Sequence, residues 1–141
     1  MAAAPVTPAQ FAQLRWLEGT WRGRLPSGGH FYERYTFVDD STVQMTAYAD
    51  STLAQPKPGD RIVLRGRAVR YENVVATRLD AAGVEFAAPG GGFGFTWVRD
   101  GARTWTATIR QTGPTGEVRT VVYPMAAYTA PGGTTGGPRQ R

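Results

Sequence analysis

The chain has no cysteine, one histidine (His30), one lysine (Lys57), and no apolar run near the roughly 18 residues that span a bilayer. Without cysteine there is no disulfide framework, no thiol nucleophile and no thiolate metal site. A single histidine leaves any Ser-His-Asp triad dependent on His30, and no G-x-S-x-G elbow surrounds any serine. A zinc site would need carboxylates in place of the missing histidines, and the spacing of Asp39, Asp40 and Asp50 suggests none, so no metal is expected. Nothing repeats at a fixed period, which argues against a solenoid or propeller. The opening MAAAPVTPAQ lacks the charged and apolar regions of a signal peptide, so a cytoplasmic location is favoured, with export after leader cleavage as the alternative.

What is present points to a turn-rich globular domain. The 141 residues are one domain's worth of chain, 41% of them hydrophobic, and 18 glycines with 10 prolines supply many turns. The net charge of +5 is carried by arginines spread from Arg15 to Arg141. Replacing counterions along a nucleic-acid backbone needs a concentrated basic stripe, so a nucleic-acid partner is not expected.

Small and polar residues at both ends predict a flexible segment over 1–10 and a disordered tail over 129–141, flanking one domain over 11–128. In TPAQFAQLRWLEG, Thr7 is placed to cap a helix, Pro8 suits its first position, and Phe11, Leu14 and Leu17 or Trp16 recur at helical spacing until Gly19. After Gly19 the period changes to two. Strands are predicted over 20–25, 30–38, 42–48, 61–67, 68–79 (one piece or two), 84–88, 92–99, 104–112 and 117–123, joined by hairpin turns such as Asp100-Gly101. A meander of eight to ten antiparallel strands on so short a chain must close or stack to hide its edges. The fold class expected is therefore all-β: an antiparallel up-and-down barrel with a short N-terminal helix.

Alternation groups residues by face and leaves open which face turns inward; if the Glu33 face points out, Arg34 and His30 move inside. Phe31, Glu33, Tyr35 and Phe37 share one side of their strand, and Phe93, Phe95 and Trp97 share one side of theirs. A barrel of eight or more strands encloses room for side chains or one small ligand. The glycine-rich APGGGFGF opens onto a strand and lacks a lysine, so it reads as a hairpin and not as a phosphate loop. The stretch 50–60 is the longest expected loop, a natural lid at a barrel mouth.

The order of WLEGTWRGR, FYERYTF, ATRLDAAGVEFA and FTWVRDGARTWTATI resembles small bacterial lipocalin-like domains of the calycin superfamily, with nitrobindin a more distant relative. The likeness runs over about residues 11–128. It implies that Gly19 and Trp21 close one end of the barrel, with Arg119 or Arg110 stacked on the indole. Nitrobindin-like proteins hold haem through a histidine near the C-terminus; this chain has Tyr123 and Met125 there, so no cofactor is expected. Tyrosine ligation of ferric haem is the remaining route.

Glu33 is the most informative candidate. A carboxylate among Phe31, Tyr35 and Phe37 must pair with a cation, accept hydrogen bonds or be protonated. Its candidate partners are Arg65, Arg78 or Arg110 and the hydroxyls of Tyr48, Tyr71 or Tyr123. The expected ligand-binding set is Glu33, Tyr35, Tyr48, Arg65, Tyr71, Arg78, Trp97 and Tyr123, and the expected partner is a small hydrophobic molecule. Three readings stay open: a binding barrel, a cyclase or isomerase using Glu33 for proton transfer, and a packed barrel that acts through its outer surface.

Overall fold

The structure, a computed structural model, describes residues 4–131. Ten strands close into an up-and-down barrel: β1 (Gly19–Arg24), β2 (His30–Asp39), β3 (Thr42–Tyr48), β4 (Pro56–Arg65), β5 (Ala68–Tyr71), β6 (Val74–Asp80), β7 (Gly83–Ala87), β8 (Phe93–Arg99), β9 (Thr104–Thr112) and β10 (Val118–Ala127). Each strand pairs antiparallel with its chain neighbour, and β1 pairs with β10 through Trp21–Ala127, Arg22–Ala126 and Gly23–Met125. That last pairing closes the sheet on itself, the outcome a long meander requires. The architecture is compatible with a calycin or lipocalin-like fold. No helix among the described residues is long and apolar enough to cross a membrane.

The predicted helix forms as two short pieces. Helix α1 (Pro8–Phe11) is one turn with Thr7 as cap: Thr7 Oγ1 accepts from the Gln10 amide, and the Thr7 amide donates back to Gln10 Oε1. It tightens into a 3₁₀ stretch over Ala12–Leu17. Phe11, Leu14 and Leu17 are fully buried, so this segment is a plug across one end of the barrel. Before it, in the stretch expected to be flexible, the Ala4 amide donates to Ala76 O and the Val6 amide to Arg67 O at 2.8 Å, and the Val6 side chain is 2% exposed. The tail expected over 129–141 lies outside the described residues from 132 on.

Up-and-down connectivity puts alternate turns at opposite ends. The plug, with the β2–β3, β4–β5, β6–β7 and β8–β9 turns, closes one end, and the β1–β2, β3–β4, β5–β6, β7–β8 and β9–β10 connections ring the other. Two sequence expectations change here. The 68–79 stretch divides at Glu72-Asn73, a two-residue turn between Tyr71 and Val74. The expected 50–60 loop shrinks, because strand β4 already begins at Pro56. β4 pairs with β5 only from Ile62 onward, so Pro56 to Arg61 have no neighbour on that side, and an unpaired edge is where proline is tolerated. A register shift between Gln44 and Thr46 accommodates the extra length, and Gln44 Nε2 fills it by donating to Met45 O and Gly59 O.

Candidate ligand cavity

Inward-facing residues of β2, β5, β7, β8 and β9 meet in a cluster of rings. Trp97 on β8 is central, with Tyr35, Tyr71, Phe86, Phe95 and Trp105 around it at centroid distances of 5.3 to 5.7 Å. Most of these contacts are edge-to-face or tilted, the geometry ring quadrupoles favour. On β9 the pattern Thr104-Trp105-Thr106-Ala107-Thr108-Ile109 sends the threonines outward and the apolar residues in, which is alternation at its plainest.

Below this cluster Trp21 shuts the barrel. Its indole Nε1 donates to Leu17 O at 2.7 Å, and its ring meets Trp105 edge-on at 5.9 Å. Neither expected arginine covers it. Arg119 is exposed near the opposite end of β10, paired with Gln111, and Arg110 turns outward, where Nη1 reaches Thr96 Oγ1. Leu17 and Trp105 fill the space a guanidinium would have taken. Gly19 enters β1 with φ +134°, a conformation that favours glycine.

Above the cluster the barrel keeps a cavity of about 370 Å³ toward the other end. Aromatic rings and the side chains of Leu25, Ala107, Ile109 and Met125 make its walls, and its polar groups come from Glu33, Tyr35, Tyr71, Glu72 and Tyr123. Glu33 projects inward from β2 between Phe31 and Tyr35. Tyr35 donates its hydroxyl to Glu33 Oε1 at 3.0 Å, and Tyr71 stands on the same cavity wall. Burial raises the Glu33 carboxyl above the ordinary glutamate range, and the Tyr35 hydrogen bond offsets part of that rise. Burial is also the main reason that both phenols resist ionisation, with the Glu33 charge adding to it.

Glu72 carries the acidic wall to the rim. It holds φ at +56°, a left-handed conformation uncommon for glutamate, at the first position of the β5–β6 turn. Partial burial and then the neighbouring carboxylate of Asp60 raise its pKa. Nothing in the sequence distinguished Glu72 from a turn residue.

Of the eight expected ligand residues, the cavity brings together Glu33, Tyr35, Tyr71, Trp97 and Tyr123. Three lie elsewhere. Tyr48 pairs with Tyr32, whose neighbour Glu33 points inward, so both tyrosines face out. Arg65 follows buried Leu64 on β4 and is therefore outward and exposed. Arg78, past the register shift on β6, is exposed and pairs with Asp80 at 2.9 Å. Sequence reasoning passed over Leu25, Phe31, Phe93, Phe95, Ala107, Ile109 and Met125 as lining residues, although alternation with Glu33, Trp97 or Trp105 marks most of them.

No protein-family model matches the chain, and no curated protein matches it either. The case for function therefore rests on the cavity.

Proposed function

We propose that this is a non-enzymatic, lipocalin-like binding barrel that holds a small, mostly apolar ligand, with Glu33, Tyr71 and Tyr123 fixing the ligand's polar part. One observation carries the reading: a cavity of about 370 Å³ with mainly apolar walls and a few convergent polar groups. Ligand sites are usually built this way. Kinship with small bacterial lipocalin-like domains, and more remotely with nitrobindin, accords with the closed meander but remains part of the proposal.

Native mass spectrometry of protein purified from its own source tests the reading. A bound small molecule is expected, and it should be lost from Ala107→Phe, which fills the cavity from its wall. A clean apo mass in both proteins, together with no binding of a cationic, a neutral or an anionic aromatic probe to the wild type, would overturn it.

A second reading, an isomerase or cyclase on the same barrel, is favoured by one feature. Glu33 is a buried carboxyl with a raised pKa, hydrogen-bonded to Tyr35, which suits a proton-transfer group. An enzyme would lose turnover in Glu33→Gln, whereas a carrier has none to lose.

A haem does not fit these residues. His30 is exposed and borders a different, external hollow with Arg22 and Arg24. The cavity wall offers two carboxylates and no cation to face the propionates.

A further inference from the structure

The chain has more cations than anions, 16 against 11, yet the ionisable groups of the cavity wall are Glu33, Glu72 and phenols, with no arginine, lysine or histidine. Asp60 stands beside Glu72 at the rim and adds to the same sign. Among the described residues no cation lies within 4 Å of the Glu33 carboxylate, so its charge has no counter-ion from the protein. The rings of Phe31, Phe93, Phe95, Trp97 and Tyr123 share the wall with it, and ring faces attract cations.

We infer that the cavity selects a cationic, otherwise apolar ligand, a hydrophobic amine or quaternary ammonium whose positive group sits against Glu33 inside the ring of aromatic side chains. The inference rests on the binding reading above and adds the sign of the ligand's charge. A fatty acid or other carboxylate would instead meet Glu33 and Glu72 with like charge. Glu72 and Asp60 attract the cation to the mouth, and Glu33 holds it within.

Three probes of similar shape separate the outcomes: benzyltrimethylammonium, its neutral carbon isostere neopentylbenzene, and 3-phenylpropionate. Titration calorimetry at pH 8, supported by the fluorescence of the wall tryptophans, gives their affinities. The cation is expected to bind at least tenfold more tightly than the anion, and Glu33→Gln is expected to lower the cation-to-neutral affinity ratio at least tenfold. Glu72→Gln, at the rim, should lower the same ratio by a smaller factor. If the ratio is unchanged in both variants, or if 3-phenylpropionate binds most tightly, the charge assignment falls while the binding cavity stands. If none of the three binds the wild-type protein, the binding reading fails and takes the inference with it.

Discussion

The Tyr35 hydroxyl donates to Glu33 Oε1 at 3.0 Å from the same face of the same strand, so strand geometry alone brings acid and donor together. The bond favours the ionised carboxylate and opposes the burial that disfavours it. Tyr35→Phe removes the bond and leaves the burial. The carboxyl of Glu33 is then expected to titrate at higher pH than in the wild type, read from carboxyl ¹³C shifts across pH 3 to 9. An unchanged midpoint would show that the hydroxyl does not stabilise the charge.

A raised pKa in the folded state means that folding takes up a proton where the unfolded chain has released it. For Glu33, folding is therefore unhindered below the ordinary glutamate pKa of 4.5, and stability is lost as pH rises through the raised value. Glutamine keeps the shape without the charge. Glu33→Gln should be more stable than wild type by about 1 kcal/mol at pH 8, with the gain disappearing near pH 4. Urea unfolding at the two pH values checks this, and a gain equal at both would place its cause elsewhere.

How much of this was legible beforehand depended on whether a residue's neighbours in space are also its neighbours in the strand. The shared faces of Glu33, Tyr35 and Trp97 were legible because period-two alternation is a local property and needs no knowledge of any partner. Tyr48 and Arg65 lie off the cavity because their faces follow from which strands pair, and Arg78 because a register shift at Ala76/Arg78 changes the face by one residue. Pro56 and Pro58 read as loop because proline is excluded from paired strands; only the shortness of β5 leaves room for them. Glu72 was invisible, since its place at the rim follows from where a two-residue turn falls on the closed barrel.

Gly23 on β1 faces Phe31, its register partner on β2, and a Cβ at this position would overlap the Phe31 ring. That ring is held from its other side by Tyr123, at 5.5 Å and nearly perpendicular. Gly23→Ala therefore forces Phe31 toward the cavity or the sheet apart. A loss of about 1–3 kcal/mol in urea unfolding is expected, the usual cost of overpacking, with weaker binding of neopentylbenzene. The double variant with Phe31→Leu should recover part of the stability, since the branched side chain leaves room for the methyl.

On the outer surface, Tyr128 follows β10 and crosses β1 to reach the β3–β4 loop. Its amide donates to Thr20 O, its ring lies 4.8 Å from that of Tyr32 and beneath the Arg22 guanidinium, and its hydroxyl donates to Ser51 O at 2.8 Å. The loop it reaches includes Leu53, whose φ of +59° is a conformation held against local preference. Within the loop, Asp50 accepts from Thr52, bonds that stiffen the turn without tying it to the barrel. Tyr128→Phe keeps the ring stacking and deletes the one side-chain hydrogen bond that, among the described residues, reaches the loop from outside it. Hydrogen exchange should quicken about tenfold at the amides of Thr52, Leu53 and Ala54, equivalent to about 1.4 kcal/mol of local opening, while the amides of β8 and β9 keep their wild-type rates. Because this loop stands at the mouth, the same variant should speed dissociation of a bound ligand; an unchanged off-rate alongside faster exchange would show that the loop moves without governing entry.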